Sequence, residues 1–427
     1  MKGGDARRSS WTWSLALVAS VYLLTMTGAW TVTDHGELLY MAGRMLSRGT
    51  LDLWDPGEPP PTFLSWPRPP GGGPIRSRFV PVPSLTLLPL LWLDRAFGWG
   101  ERDQFGRLVH LQGHVFVLSG LALLGVSLRR LGASPQATAV AIVLTGLCWP
   151  VWMVGRHLGP EPILVFLVSV FLAASNVPSL RARLLQGGVC LCLPWTHGTG
   201  SVVSAGLVLA ACLQGCGETT LRARVVRAAR SEWPLVLGSV LGIASFVFFW
   251  NHLYHGHWLT GGYAQYAGDL YQRQSPLLWA RKYASCIALG LPLLLVPAWL
   301  GRGAAGPHRA RVTALTLTVV TLLFTLITPF SYSEPARRIA LLVPAWGLVL
   351  GMTWDRLHPP PVFAQVLTGL ALVLGLFWFL NEEGGYYFTS RGIFYFPVVL
   401  WLSLLNEGRP WAALLPVGAL LALLALA

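Results

Sequence analysis

The chain has 427 residues, of which 54% are hydrophobic and only 11% charged, well below the roughly 25% charged fraction of a soluble globular protein. That composition excludes a soluble enzyme and predicts an all-α polytopic membrane protein, one membrane domain over 1–427. The formal charge of +13 is nearly all arginine, a surplus suited to membrane orientation, anionic membrane lipids or a phosphorylated ligand. With no soluble basic domain to present that charge, no nucleic-acid partner is expected. Cys148, Cys190, Cys192, Cys212, Cys216 and Cys286 lie in apolar runs or at their edges, without the spacing of a zinc site or a disulfide framework, and read as packing residues.

A membrane span takes about 20 apolar residues, fewer where helices are broken against protein. The first candidate is Trp11 to Trp30, read as an uncleaved span with its N-terminus in the cytoplasm. The stretch that follows, residues 31–105, is an external loop. It opens on Asp34-His-Gly-Glu37, where an ionisable side chain beside a membrane helix is a site candidate by default. The same spacing fits a capping box, worth roughly 1 kcal/mol, and the two roles are compatible. The helix it would start carries Leu38, Leu39, Met41, Ala42, Met45 and Leu46 on one side and Arg44 and Arg48 on the other, the pattern of a helix on a membrane surface.

The run Pro56 to Pro74 is too rich in Pro and Gly for a helix or central strand. It reads as a linker or as a lid ordered by a lipid substrate. Val80 to Phe97 is apolar, yet treating it as a span reverses the charge asymmetry of every later loop. It is therefore expected to be a re-entrant or interfacial helix.

Further spans are expected at Leu108 to Leu128, Ala137 to Val154, Ile163 to Ala174, a short pair flanking Pro194 to Gly200, and Pro234 to Trp250. Then come Cys286 to Leu300, Val312 to Phe330, Ile339 to Met352, Val362 to Leu380, Ile393 to Leu405 and Trp411 to Ala427, about thirteen transmembrane helices in all. On this map the external loops are 31–105, 155–161, 251–285, 331–338 and 381–392. The acidic residues cluster in them or lie on the cytoplasmic side, and none sits mid-membrane. That distribution disfavours a proton-coupled transporter and favours an outward-facing site.

Three stretches carry candidate chemistry there. Glu161 follows Gly155-Arg156-His-Leu-Gly-Pro and precedes Pro162, so it would complement a helix N-terminal dipole or face Asp34 as a second carboxylate for glycosyl transfer. Arg76 and Arg78, and the pair Arg337-Arg338, contact anionic headgroups or clamp a phosphate leaving group. Asn251-His-Leu-Tyr-His-Gly-His257 brings three histidines together, as metal ligands or as side chains snorkelling at the interface.

Asp34-His-Gly-Glu37-Leu-Leu-Tyr-Met-Ala, Arg76-Ser-Arg78-Phe-Val-Pro-Val-Pro, Gly155-Arg156-His-Leu-Gly-Pro-Glu161 and Asn251 through Gly-Gly-Tyr263 together resemble motifs of a known group. It is the membrane-embedded glycosyltransferases of the GT-C fold that use polyprenyl-phosphate-linked sugars, in the branch of the aminoarabinose transferases and protein O-mannosyltransferases. The resemblance implies a GT-C-like bundle with interfacial helices in the first external loop, sited in a bacterial inner membrane with its active site facing the periplasm. It implies Asp34 as catalytic base, with Glu161 as partner and Glu37 beside them. Arg76, Arg78, Arg156, Arg337, Arg338, Asn251 and Tyr263 would contact the substrate and its phosphate. The sugar would pass with inversion to a glycan, lipid or protein acceptor.

His35 stands where the group has a second acidic residue, which weighs against a two-carboxylate metal arrangement. No cofactor is assigned, with room left for a divalent cation. Arg78 stands where a lysine is frequent, keeping the charge with a different geometry. The competing readings are a flippase or other carrier of polyprenyl-linked glycans, and an O-antigen ligase or polymerase. Carriers favour repeated halves and ionisable groups at depth, and the sequence shows neither.

Overall fold

A computed structural model describes residues 10–25, 33–55, 74–77, 79–97, 108–156, 158–214, 230–258, 308–327, 335–357 and 359–382, with isolated positions between 220 and 226. In chain order the elements are α1 (Ser10–Leu24), α2 (Thr33–Arg48), β1 (Asp52–Trp54), β2 (Ile75–Arg76), α3 (Pro81–Ala96) and α4 (Gln112–Arg130, led in by a 3-10 turn at Leu108–Leu111). Next come α5 (Pro135–Leu147), α6 (Trp149–Gly155), α7 (Pro160–Ser175), α8 (Leu180–Thr196), α9 (Gly198–Leu213) and α10 (Trp233–Ser245), which runs on as a π-helix over Phe246–Tyr254. The last are α11 (His308–Ile327), α12 (Pro335–Ala340), α13 (Val343–Leu357) and α14 (Pro361–Glu382). Among the described residues, Leu108–Arg130 and Trp233–Tyr254 are long and apolar enough to cross a membrane, and the bent pair α5–α6 makes a third candidate. The chain is a multi-pass membrane protein. The later spans expected at 286–300, 393–405 and 411–427, and the Pro/Gly-rich stretch after Asp55, lie outside the described residues.

Two spans expected to be continuous are broken, each beside a proline. Ala137 to Val154 bends by 69° between α5 and α6. Pro150 has no N–H to give the carbonyl four residues back, that of Gly146, and its ring crowds that position. The Tyr22 hydroxyl of α1 takes the vacated role, donating to the Gly146 carbonyl at 2.7 Å, and Tyr22 is fully buried. Ile339 to Met352 divides into α12 and α13 for the same reason, since Pro344 cannot donate to Ala340. The chain tightens there instead, with Leu341 N–H donating to Arg338 and Leu342 N–H to Ile339. The two short pieces, α6 and α12, pack on each other.

Two separate cores result. The larger joins α1 and α4–α14 around residues such as Leu121, Ile142, Leu164 and Leu348. The smaller belongs to the first loop: Leu38, Leu39, Met41 and Ala42 of α2, Leu53, Trp54 and Ile75 of the hairpin, and Leu87 and Leu91 of α3. The sequence foresaw its helices but not its strands, which flank the Pro/Gly-rich run and pair antiparallel with Asp52 opposite Arg76 and Trp54 opposite Ile75. Arg44, expected on the polar face of α2, is instead buried and ion-paired with Asp55 just past β1.

The apolar run expected at the interface forms α3. At 16 residues it is about 24 Å long, short of the roughly 30 Å hydrocarbon thickness. Ser84, Leu87, Leu91 and Asp94 face the small core while Leu85 and Trp92 are exposed. Asp94 fixes its far end, accepting from the backbone N–H groups of Leu108 (2.9 and 3.0 Å) and Val109 (3.3 Å), which open the next helix and have no intrahelical partner.

Tyr22→Phe should leave the Gly146 carbonyl unsatisfied in an apolar surround and cost about 1–3 kcal/mol. Thermal unfolding of the purified chain in detergent would show a lower Tm; an unchanged Tm would mean that the bend does not depend on this bond.

Candidate active site

The first loop and the end of the π-helix form one polar cluster. Asp34 falls in the first turn of α2; its side chain, Arg78 and Tyr263 lie outside the described residues. One turn on, Glu37 is fully buried and its Oε1 accepts from Ser77 Oγ at 2.8 Å, forty residues away in the chain. Ser77 Oγ also accepts from the Phe79 N–H at 3.0 Å, so one hydroxyl joins the helix carboxylate to the turn into α3. Ser84 Oγ donates to the Leu38 carbonyl at 2.8 Å, a second tie between α2 and α3.

Arg76 leaves β2 toward the π-helix. Its guanidinium donates to the Tyr254 carbonyl, lies 4.9 Å above the Tyr254 ring and has Nε 4.0 Å from Asp52 Oδ1. The Tyr254 hydroxyl closes the arrangement by donating to the same Asp52 oxygen at 2.8 Å. Arg76 thus braces the hairpin against the π-helix, a contact that the sequence, reading Arg76 as a phosphate ligand, did not foresee.

The π geometry, rare at this length, directs Trp250, Asn251 and His255 inward and leaves Phe249 and Leu253 exposed. Trp250 stacks on Tyr254 at 4.5 Å, and His255 meets both rings edge-on. Asn251 is buried within its own turn, where Nδ2 donates to the Trp258 carbonyl at 3.2 Å and its backbone carbonyl accepts from His257 at 2.9 Å. The three histidines do not converge: His252 stacks on Trp258, and His255 is buried against the hairpin. Among the described residues no group of three or more His, Cys, Asp or Glu could hold a metal ion.

A second cluster forms at the turn between α6 and α7. Leu158 buries itself in the small core with Leu38, Leu87 and Leu91, so this turn is anchored to the first loop. Glu161 sits in the first turn of α7, where the helix dipole favours an anion. Arg337 of α12 reaches it with Nη1 3.7 Å from Oε1, both side chains mostly buried. Arg338 lies 5.2 Å from the Phe324 ring centroid. Arg156, at 4% exposure, donates to the Thr25 carbonyl at 3.0 Å, and Trp152 Nε1 donates to Thr25 Oγ1 at 2.9 Å. Both clamp the exit of α1, the point from which the chain leaves for Asp34.

The structure therefore brings Glu37 to the Arg76 hairpin and Glu161 to Arg337, with Leu158 holding the second group against the first. Sequence reasoning gave Ser77 and Tyr254 no role of their own, noted Asp52 only as an acidic residue of the first loop, and offered His255 only as a metal ligand or a snorkelling side chain. Only the histidine-rich string marked the π-helix end, and it pointed to metal or lipid rather than to the hairpin.

A bundle of broken helices with a separately packed first loop of helix, hairpin and interfacial helix defines a class of membrane protein, and the chain has the GT-C fold. It superposes on ArnT from Cupriavidus metallidurans in the apo state with a TM-score of 0.54 at 15% identity, covering 97% of this chain and 74% of that one. On ArnT from the same organism bound to undecaprenyl phosphate the TM-score is 0.52 at 16% identity, over 96% and 75% of the two chains. No family model matches the sequence, and no curated protein matches it.

Burial, and next the neighbouring Arg76 charge, push the His255 imidazole down to about 4. In the unfolded chain it titrates near 6.5, so between about 6.5 and 4 the unfolded state binds more protons and the docked loop loses stability as pH falls. Tm should fall more steeply from pH 7 to pH 4.5 in the parent than in His255→Phe; parallel curves would remove His255 as the cause.

Proposed function

We propose that this protein is a membrane glycosyltransferase that moves a sugar from a polyprenyl-phosphate donor to an acceptor at the outer face of a bacterial inner membrane. The bundle would hold about thirteen spans, with residues 31–105 as its external loop. What supports this reading most is one juxtaposition: Glu161, paired with Arg337, stands on a turn whose Leu158 packs into the same small core as α2, the helix that carries Asp34. The fold neighbour crystallised with undecaprenyl phosphate supports a polyprenyl-phosphate donor.

In this mechanism Asp34 takes the proton of the acceptor nucleophile as it attacks the anomeric carbon. The bond from that carbon to the phosphate oxygen breaks, and polyprenyl phosphate leaves with the electron pair. In-line attack inverts the anomeric centre. A phosphate leaves without needing a proton, so the reaction calls for a base and for positive charge at the leaving oxygens more than for an acid. Arg78 and Arg337 supply that charge, and Glu161 sets the position of Arg337. Glu37 serves behind Asp34 by holding α2 to Ser77.

Purified full-length chain, assayed with a panel of polyprenyl-phosphate sugars, tests the reading. Asp34→Asn should lower transfer by roughly a hundredfold or more while the protein still binds undecaprenyl phosphate; full transfer by that variant would remove Asp34 from the mechanism. Arg78→Ala should weaken undecaprenyl-phosphate binding, and unchanged affinity would reassign Arg78 to headgroup contact.

A further inference from the structure

Gln112, the first residue of α4, is 1% exposed and joins three elements. Its Oε1 accepts from the Gly159 N–H at 3.1 Å. Its Nε2 donates to the Pro83 carbonyl of α3 at 3.0 Å and to Thr86 Oγ1 at 2.6 Å, and that hydroxyl in turn donates to Pro83 at 2.7 Å. The orientation of the amide is forced from both ends, because a backbone N–H can only donate and a carbonyl can only accept. No other uncharged side chain of this length offers an acceptor and a donor on one planar group.

Gly159 matters to Glu161 in a different way. Its φ of 162° is ordinary extended backbone, so no conformational reason demands glycine. What a Cβ would meet is the carboxylate itself: it would lie 2.7 Å from Glu161 Oε2, the movable end of that side chain. The Glu161 carboxylate folds back over the bare Cα, and this is the conformer that Arg337 meets.

We infer that Gln112 and Gly159 are positioning residues for Glu161, holding its carboxylate turned back over the α6–α7 turn and tying that turn to the interfacial helix α3. The inference rests on the role given to Glu161 above and adds how that carboxylate is set. The contact that Gly159 avoids is with the carboxylate itself, so Gly159→Ala moves Glu161 with little disturbance of the fold. Gln112→Leu releases the turn from α3, and Gln112→Glu keeps the acceptor for Gly159 but sets an anion against the Pro83 carbonyl.

The test is carbodiimide-activated amine labelling of carboxylates in the detergent-purified full chain, read by peptide mass spectrometry with Asp355 at the far end of α13 as reference. Gly159→Ala and Gln112→Leu should each raise labelling of Glu161 several-fold over the parent, Gly159→Ala without a shift in Tm. In the donor assay Gly159→Ala should lower kcat roughly ten- to a hundredfold, with KM within about twofold, and should add nothing to the loss caused by Glu161→Gln. Unchanged Glu161 labelling in both variants overturns the inference, as does a Gly159→Ala loss that adds in full to that of Glu161→Gln. Full turnover by Glu161→Gln alone would instead refute the catalytic reading, while the labelling result would still decide what positions the carboxylate.

Discussion

A carboxylate, amide or carbonyl removed from water must find its partner inside the protein, or it costs several kcal/mol. In this chain the partners sit on different elements, and that requirement assembles the loop end of the bundle. Glu37 of α2 takes its hydrogen bond from Ser77 beside the hairpin, Asp94 of α3 takes two backbone amides at the start of the next helix, and Gln112 serves α3 and the α6–α7 turn together. Apolar burial around Leu38, Leu87 and Leu158 supplies cohesion, but it is non-directional. The polar ties set the register in which these pieces meet.

The same requirement explains the broken helices. Pro150 and Pro344 each remove a donor from a ladder in an apolar environment, where the vacated carbonyl has no water to turn to. At Gly146 the partner is a tyrosine hydroxyl from the first helix. The short segments left beyond each break, α6 and α12, bring two basic residues to the loop end: Arg156, fastened to the exit of α1, and Arg337, beside Glu161.

Several basic residues that looked alike in the sequence prove different in their surroundings. Arg76 is held by a carbonyl, a ring face and Asp52, so it braces two elements. Arg44 lies in the interior, paired with Asp55, and Arg338 lies over Phe324. Arg337 meets a carboxylate at the first turn of a helix. A guanidinium near a membrane surface has no fixed meaning; its neighbours decide whether it holds the fold or faces a ligand.

Composition and periodicity by themselves pointed to a membrane chain and to an α2 that buries one face, and both follow from apolar content and spacing within single segments, which is local information. The expectation that Val80 to Phe97 does not span came instead from the charge asymmetry of every later loop. The pairing of Asp52 with Arg76 across the Pro/Gly-rich run, the 202-residue reach from Tyr254 to Asp52 and the 124-residue reach from Tyr22 to Gly146 were decided only in three dimensions. Those contacts depend on which element lies beside which. A lone Gln112 or Ser77 carries no mark of its partner until packing has excluded the water that would otherwise satisfy it.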